Sequence, residues 1–139
     1  MTRMVGIVLI SHSRALAEGA AELARAMGVG KAVVEPAGGD PDGGLGTSLD
    51  RVERAVATAN DGDGVLLLAD IGSSVLTAKT FIEDAEDRDP TDAVEAVLAD
   101  APLVEGAVAA ASMAATGADL TTVQAAAESA RDLRKLGPA

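Results

Sequence analysis

The sequence predicts an α/β domain: a mainly parallel central sheet covered by helices on both faces. Three observations lead there. Short β-branched apolar runs alternate with stretches of helical periodicity along the chain. The runs "GIVLI" and "VLLLA" are continuously apolar, as strands buried on both faces are. Finally, 48% of the 139 residues are hydrophobic but only Phe81 is aromatic, so the core must be built from Ala, Val, Leu and Ile. Such a core suits helices that lie close to a buried sheet. The length fits one domain, residues 1–139, large enough to bury a real core.

The first strand is "MVGIVLI", 4–10. From Arg14 to Met27, Leu16, Ala20, Leu23, Ala24 and Met27 recur at helical spacing, and Gly28 supplies the stop. "KAVVEP", 31–36, reads as a second strand closed by Pro36, and "AGGDPDGGLGTS", 37–48, is a loop by its turn chemistry. Leu49, Val52, Ala55 and Val56 mark a second helix with Thr47 or Ser48 as N-cap. A third strand in "GVLLLAD" leads through a Gly-Ser-Ser turn to a helix carrying Val75, Ala78, Lys79 and Ile82. A short helix is expected from Pro90 or Thr91, then a strand near Val97 to Ala99. Pro102 should open another helix as its first residue, ending near Gly117. Asp119 or Thr121 starts the last helix, and "LGPA" reads as a frayed tail.

Charge and composition exclude several functions. A formal charge of −11 opposes nucleic-acid binding, which needs Lys and Arg against phosphates. Acids gather at 83–100, whereas 3–17 carries Arg3 and Arg14 and no acid, a neighbourhood compatible with an anionic group. No apolar run approaches the roughly 20 residues of a membrane span, and "MVGIVLI" is broken too soon to act as a secretory signal. The absence of cysteine removes disulfides and thiolate chemistry, and a cytoplasmic location is the natural expectation. Neither a P-loop nor G-x-G-x-x-G is present, and no G-x-S-x-G surrounds a serine. One histidine without cysteine makes no all-His/Cys zinc centre, and no metal site is expected.

That one histidine, His12, stands between Ser11 and Ser13 where the first strand meets the first helix. Asp70 stands just past the third strand. In a parallel α/β sheet both project toward the same edge, where such folds place their sites. Asp70 there can accept a hydrogen bond from one ring nitrogen and leave the other a free lone pair, making His12 a nucleophile. Ser11, Ser13, Gly46, Thr47, Ser48, Gly72, Ser73 and Ser74 are candidate donors to a phosphoryl group. Capping and turn formation explain the same residue types equally well.

In "GIVLISHS", "GLGTS", "VLLLADIGSS" and "APLVEGAVAAA", over nearly its whole length, the chain resembles the phosphotransfer subunits of phosphoenolpyruvate-dependent dihydroxyacetone kinases, whose fold is that of mannose-type enzyme IIA domains. The resemblance implies that His12 is phosphorylated and that Asp70 orients it. It implies a component of a phosphoenolpyruvate–glycerone phosphotransferase, fed by the histidine-containing phosphocarrier protein of the sugar phosphotransferase system. The acceptor would be ADP on a separate kinase subunit, which would also hold the divalent metal, with no cofactor in this subunit. It implies a homodimer as well. Some members carry additional carrier domains, and the chain's end short of any such fusion leads to the expectation of a separate carrier. Two alternatives stay open: a mannose-type IIA that passes phosphate to a sugar-transport IIB protein, and a non-enzymatic module that binds an anion or partner.

Overall fold

The computed structural model describes residues 3–89, 91 and 93–137. Four strands, β1 (Gly6–Ser11), β2 (Val33–Gly38), β3 (Val65–Ala69) and β4 (Ala96–Leu98), form one sheet in the order β2-β1-β3-β4. Every neighbouring pair is parallel. Five helices connect and cover them: α1 (Arg14–Met27), α2 (Leu49–Ala59), α3 (Ser73–Glu86), α4 (Leu103–Ala114) and α5 (Leu120–Ser129).

Alternation along the strands sorts the helices into two layers, because successive side chains point to opposite faces. Ile7, Leu9, Leu66 and Leu68 pack with α1, α4 and α5 on one face. Val8, Ile10, Leu67 and Ala69 pack with α2 and α3 on the other. With both faces covered, β1 and β3 are buried along their whole length, which is why their sequences show no polar alternation. The helix α1 buries only alanines, Ala17, Ala20, Ala21 and Ala24. Small side chains let it sit close to the sheet and to α4.

The chain steps from β1 outward to β2, then returns across β1 to reach β3. Strand order therefore reverses between β1 and β3, and the crevice beyond their carboxyl ends is where open α/β sheets hold ligands. His12 follows β1 and Asp70 follows β3. Gly38, at the end of β2, brings the start of α1 close: a Cβ there would lie 2.6 Å from the Ser13 carbonyl oxygen and 2.8 Å from Arg14 Cα.

Several boundaries differ from expectation. Ser11 belongs to β1, in register with Gly38. The second strand runs through Pro36 to Gly38 instead of closing at the proline. It lies at the sheet edge, and the Val34 carbonyl, two residues earlier on the same side of the strand, accepts from Arg25 Nε at 2.8 Å rather than from a strand. A proline on that outer side removes no ladder bond. β4 spans Ala96–Leu98, although Ala99 still donates to the Leu67 carbonyl at 2.9 Å. Pro102 is the cap of α4 and not its first residue, since its backbone is extended while its carbonyl accepts from Gly106 N–H at 2.8 Å. Of the short helix expected from Pro90 or Thr91, Thr91 is in a 3-10 conformation, Pro90 and Asp92 lie outside the described residues, and 93–95 lead into β4 without helix. The chain after α5 makes a 3-10 turn at Ala130–Asp132, and Lys135 Nζ lies 3.0 Å from Glu105 Oε2. Leu136 beyond it is exposed, while Pro138 and Ala139 of the expected tail lie outside the described residues. No described helix is long and apolar enough to cross a membrane.

Candidate phosphoryl-transfer site

The sheet brings His12 and Asp70 into direct contact: His12 Nδ1 lies 3.0 Å from Asp70 Oδ1. Ionised Asp70 can only accept, so the proton of this bond is on Nδ1 and the lone pair of the neutral ring is on Nε2. The carboxylate also receives the His12 backbone N–H at 3.0 Å, the Ser11 hydroxyl at 2.8 Å and the Ile71 N–H at 2.7 Å. Its side chain is only 14% exposed, and this burial by itself would raise the pKa. Hydrogen bonds from the Ser74 hydroxyl, the Ile71 and His12 N–H groups and the Ser11 hydroxyl outweigh burial and hold the Asp70 carboxyl well below the usual carboxylate range.

The second ring nitrogen faces α3. Ser73 Oγ lies 2.7 Å from Nε2 and, by the tautomer argument, donates to it. Ser73 is the first residue of a helix whose N-cap, Gly72, makes no side-chain capping bond. Gly72 has φ 49° and ψ −114°, a conformation that L side chains rarely adopt, although a Cβ would meet no neighbour. This tight turn lets Asp70 and Ser73, three residues apart, reach the two nitrogens of one ring.

The remaining candidates divide. Ser74 lies on the Nδ1 side of the ring, with Oγ 3.1 Å from that nitrogen. Ser11 is fully buried, and besides donating to Asp70 it accepts the Ser13 N–H at 3.0 Å. Ser13 Oγ caps α1 by accepting from Leu16 N–H at 3.1 Å, and Ser48 rather than Thr47 caps α2 by accepting from Arg51 N–H at 3.3 Å. Gly46 donates its N–H to the His12 carbonyl at 2.9 Å, which ties the glycine loop to the site backbone. Thr47 Oγ1 is 2.9 Å from Thr77 Oγ1 of α3. Sequence reasoning missed Thr77, Ile71 and Asp40; Asp40 Oδ1 organises the loop by accepting from Asp42 and Gly44 N–H. For Asp40 the signal was present in "DPDGG", a typical side-chain-to-backbone turn.

Residues 6–124 match the family model described as "PTS system fructose IIA component". The chain belongs to this enzyme IIA family. Among its relatives, this IIA chain is 42% identical over 123 residues to the "PEP-dependent dihydroxyacetone kinase, phosphoryl donor subunit DhaM" of Pantoea ananatis, with 86% of this chain and 25% of the relative covered. It is 40% identical over 111 residues to the phosphoryl donor subunit DhaM of a "PEP-dependent dihydroxyacetone kinase 2" of Listeria innocua, with 78% and 84% covered. The chain thus spans about a quarter of the first relative's length and most of the second. Among solved structures it is similar to the "unknown function protein EF1359", with TM-score 0.79, 30% identity and coverage of 98% and 99%. It also shares its fold with a sigma-54 interaction domain protein from Enterococcus faecalis, with TM-score 0.65 and 16% identity over 95% and 93% of the two chains.

Proposed function

We propose that this IIA chain relays a phosphoryl group: His12 Nε2 takes it from the phosphorylated histidine-containing carrier protein of the sugar phosphotransferase system and passes it to ADP on a dihydroxyacetone kinase subunit. The observation that carries this reading is the division of labour on one ring, with Nδ1 committed to Asp70 and Nε2 turned toward the uncapped start of α3. The names of the relatives support the dihydroxyacetone branch over a sugar-transport IIB acceptor.

The chemistry needs little beyond placement. Phosphoryl transfer passes through a loose, in-line transition state with charge on three equatorial oxygens. As the carrier's N–P bond breaks, the Nε2 lone pair forms the new one, and the ring becomes an imidazolium whose charge faces ionised Asp70. Ser73 gives up Nε2 and turns its hydroxyl to a phosphoryl oxygen, and the first N–H groups of α3 add dipoles of the same sign. In the second transfer the N–P electron pair returns to Nε2 as ADP's oxygen takes the phosphorus. On this reading ADP and its divalent metal belong to the kinase subunit, and the chain works in the cytoplasm as a homodimer without a cofactor of its own. Leu45 and Ile71, both exposed beside the site, give a partner an apolar rim to cover.

The test is reconstitution with phosphoenolpyruvate, enzyme I, the carrier protein and the ADP-bound kinase subunit. Dihydroxyacetone phosphate should form only when this chain is added. Formation at the same rate without it, or transfer to a sugar-transport IIB protein instead, would refute the assignment.

A further inference from the structure

Three polar side chains are buried among the described residues: Ser11, Ser48 and Ser74. A hydroxyl taken out of water is costly unless it is hydrogen-bonded. Ser48 is accounted for by the cap of α2. The other two come from different elements, β1 and α3, and both converge on the His12–Asp70 pair, Ser11 on the carboxylate and Ser74 on the ring. Ser11 reaches only Oδ2 and the Ser13 N–H. Ser74 Oγ lies 3.1 Å from His12 Nδ1, the nitrogen that Asp70 holds, and its hydroxyl is among the groups that keep the Asp70 carboxyl ionised.

We propose that Ser74 is a positioning residue for phosphoryl transfer: its hydroxyl donates to the Asp70 carboxylate, accepts a share of the Nδ1 proton, and so holds the ring in the tautomer whose lone pair is on Nε2. The inference rests on the phosphohistidine reading above and says what keeps that ring ready. The Nδ1 proton then stays in place through both half-reactions. If it passed to Asp70, the phosphorylated ring would have to leave as an imidazolate anion, a much poorer leaving group than neutral imidazole. Hydroxyl donors on the carboxylate weaken it as a base and keep the proton on the ring. The other charged groups lining the cleft beside Asp70 are Lys79 of α3 and Asp100 after β4. Neither makes an ion pair with Asp70, whose salt-bridge partner is His12.

Because His12 is the only histidine, its ring nitrogens can be read without overlap in a ¹⁵N spectrum of the whole protein. The unphosphorylated wild type should carry its proton on Nδ1. Ser74→Ala should give a mixture of tautomers and transfer roughly tenfold slower in both directions, the scale typical of a group that orients a reactive residue. Its activity should also fall off at a higher pH on the acid side, as Asp70 becomes easier to protonate. Ser74→Thr keeps the hydroxyl and should restore the tautomer and most of the rate; Ser11→Ala removes a donor from Asp70 but no contact with the ring, and should shift the tautomer less than Ser74→Ala does. If Ser74→Ala does not fold, Ser74→Cys, nearly isosteric with a weaker donor, should move the spectrum in the same direction. A wild-type proton on Nε2, or a Ser74→Ala protein (Ser74→Cys, should the alanine variant not fold) with unchanged tautomer and rate, would overturn the proposal. A wild type that no carrier phosphorylates would instead sink the relay reading, while the tautomer spectrum would still decide the role of Ser74.

Discussion

The helices on either side of His12 begin in opposite ways. At α1, Ser13 turns its side chain back to accept the Leu16 N–H, so the start of the helix is satisfied internally. At α3, Gly72 has no side chain to offer, and the serines that follow turn toward the imidazole instead. Helices α2 and α5 follow the first pattern, with Ser48 and Asp119 as caps. A helix start that forgoes its cap leaves donors and dipole to whatever comes to the adjacent nitrogen. The difference teaches that serine near a helix start is not itself a binding signal; what matters is where the backbone aims it.

The largest effect should come from removing the ring. His12→Ala is expected to abolish labelling by a phosphorylated carrier with the circular dichroism spectrum unchanged, and labelling at another residue would break the comparison at its root. Asp70→Asn keeps the shape but loses the charge that steadies the ring and its phosphorylated form; transfer should fall by roughly 100-fold. Next comes the turn that aims α3. Gly72→Ala, forced to φ 49°, should cost about 1–3 kcal/mol in denaturant unfolding and slow transfer as Ser73 and Ser74 shift.

Acid sharpens the same point. Asp70 has a depressed folded pKa, so its contribution to stability is fully present above the unfolded value of about 4 and is lost as pH falls through the folded value. Acid titration of unfolding should therefore show a steeper loss below about pH 4 in the wild type than in Asp70→Asn. The smallest effect belongs to an ordinary cap: Asp119→Ala should cost about 1 kcal/mol of stability and leave transfer unchanged.

Much of this was legible in the sequence. The periodicity of 14–27, a cap for α2 at Thr47 or Ser48, a start for the last helix at Asp119 or Thr121, and the placing of His12 and Asp70 at one sheet edge follow from local pattern and the rule for parallel sheets. Pro36 misled because its place on an edge strand depends on strand order, which no local pattern encodes. Ser11 and Ser74 read as donors to a phosphoryl group, but their direction depends on which ring nitrogen Asp70 takes. That choice is fixed by the distance between two strand ends, and sequence spacing does not carry it. Thr77 was invisible for the same reason: it matters only because the glycine loop folds back onto α3.

Nδ1 of His12 is held by Asp70, and Nε2 reacts. Phosphorylating ¹⁵N-labelled protein with phosphoenolpyruvate, enzyme I and the carrier, then reading nitrogen and phosphorus spectra at neutral pH, tests it directly. The spectra should show one phosphohistidine, with phosphorus on Nε2 of His12 and a proton still on Nδ1. Phosphorus on Nδ1, or on any other residue, would contradict it.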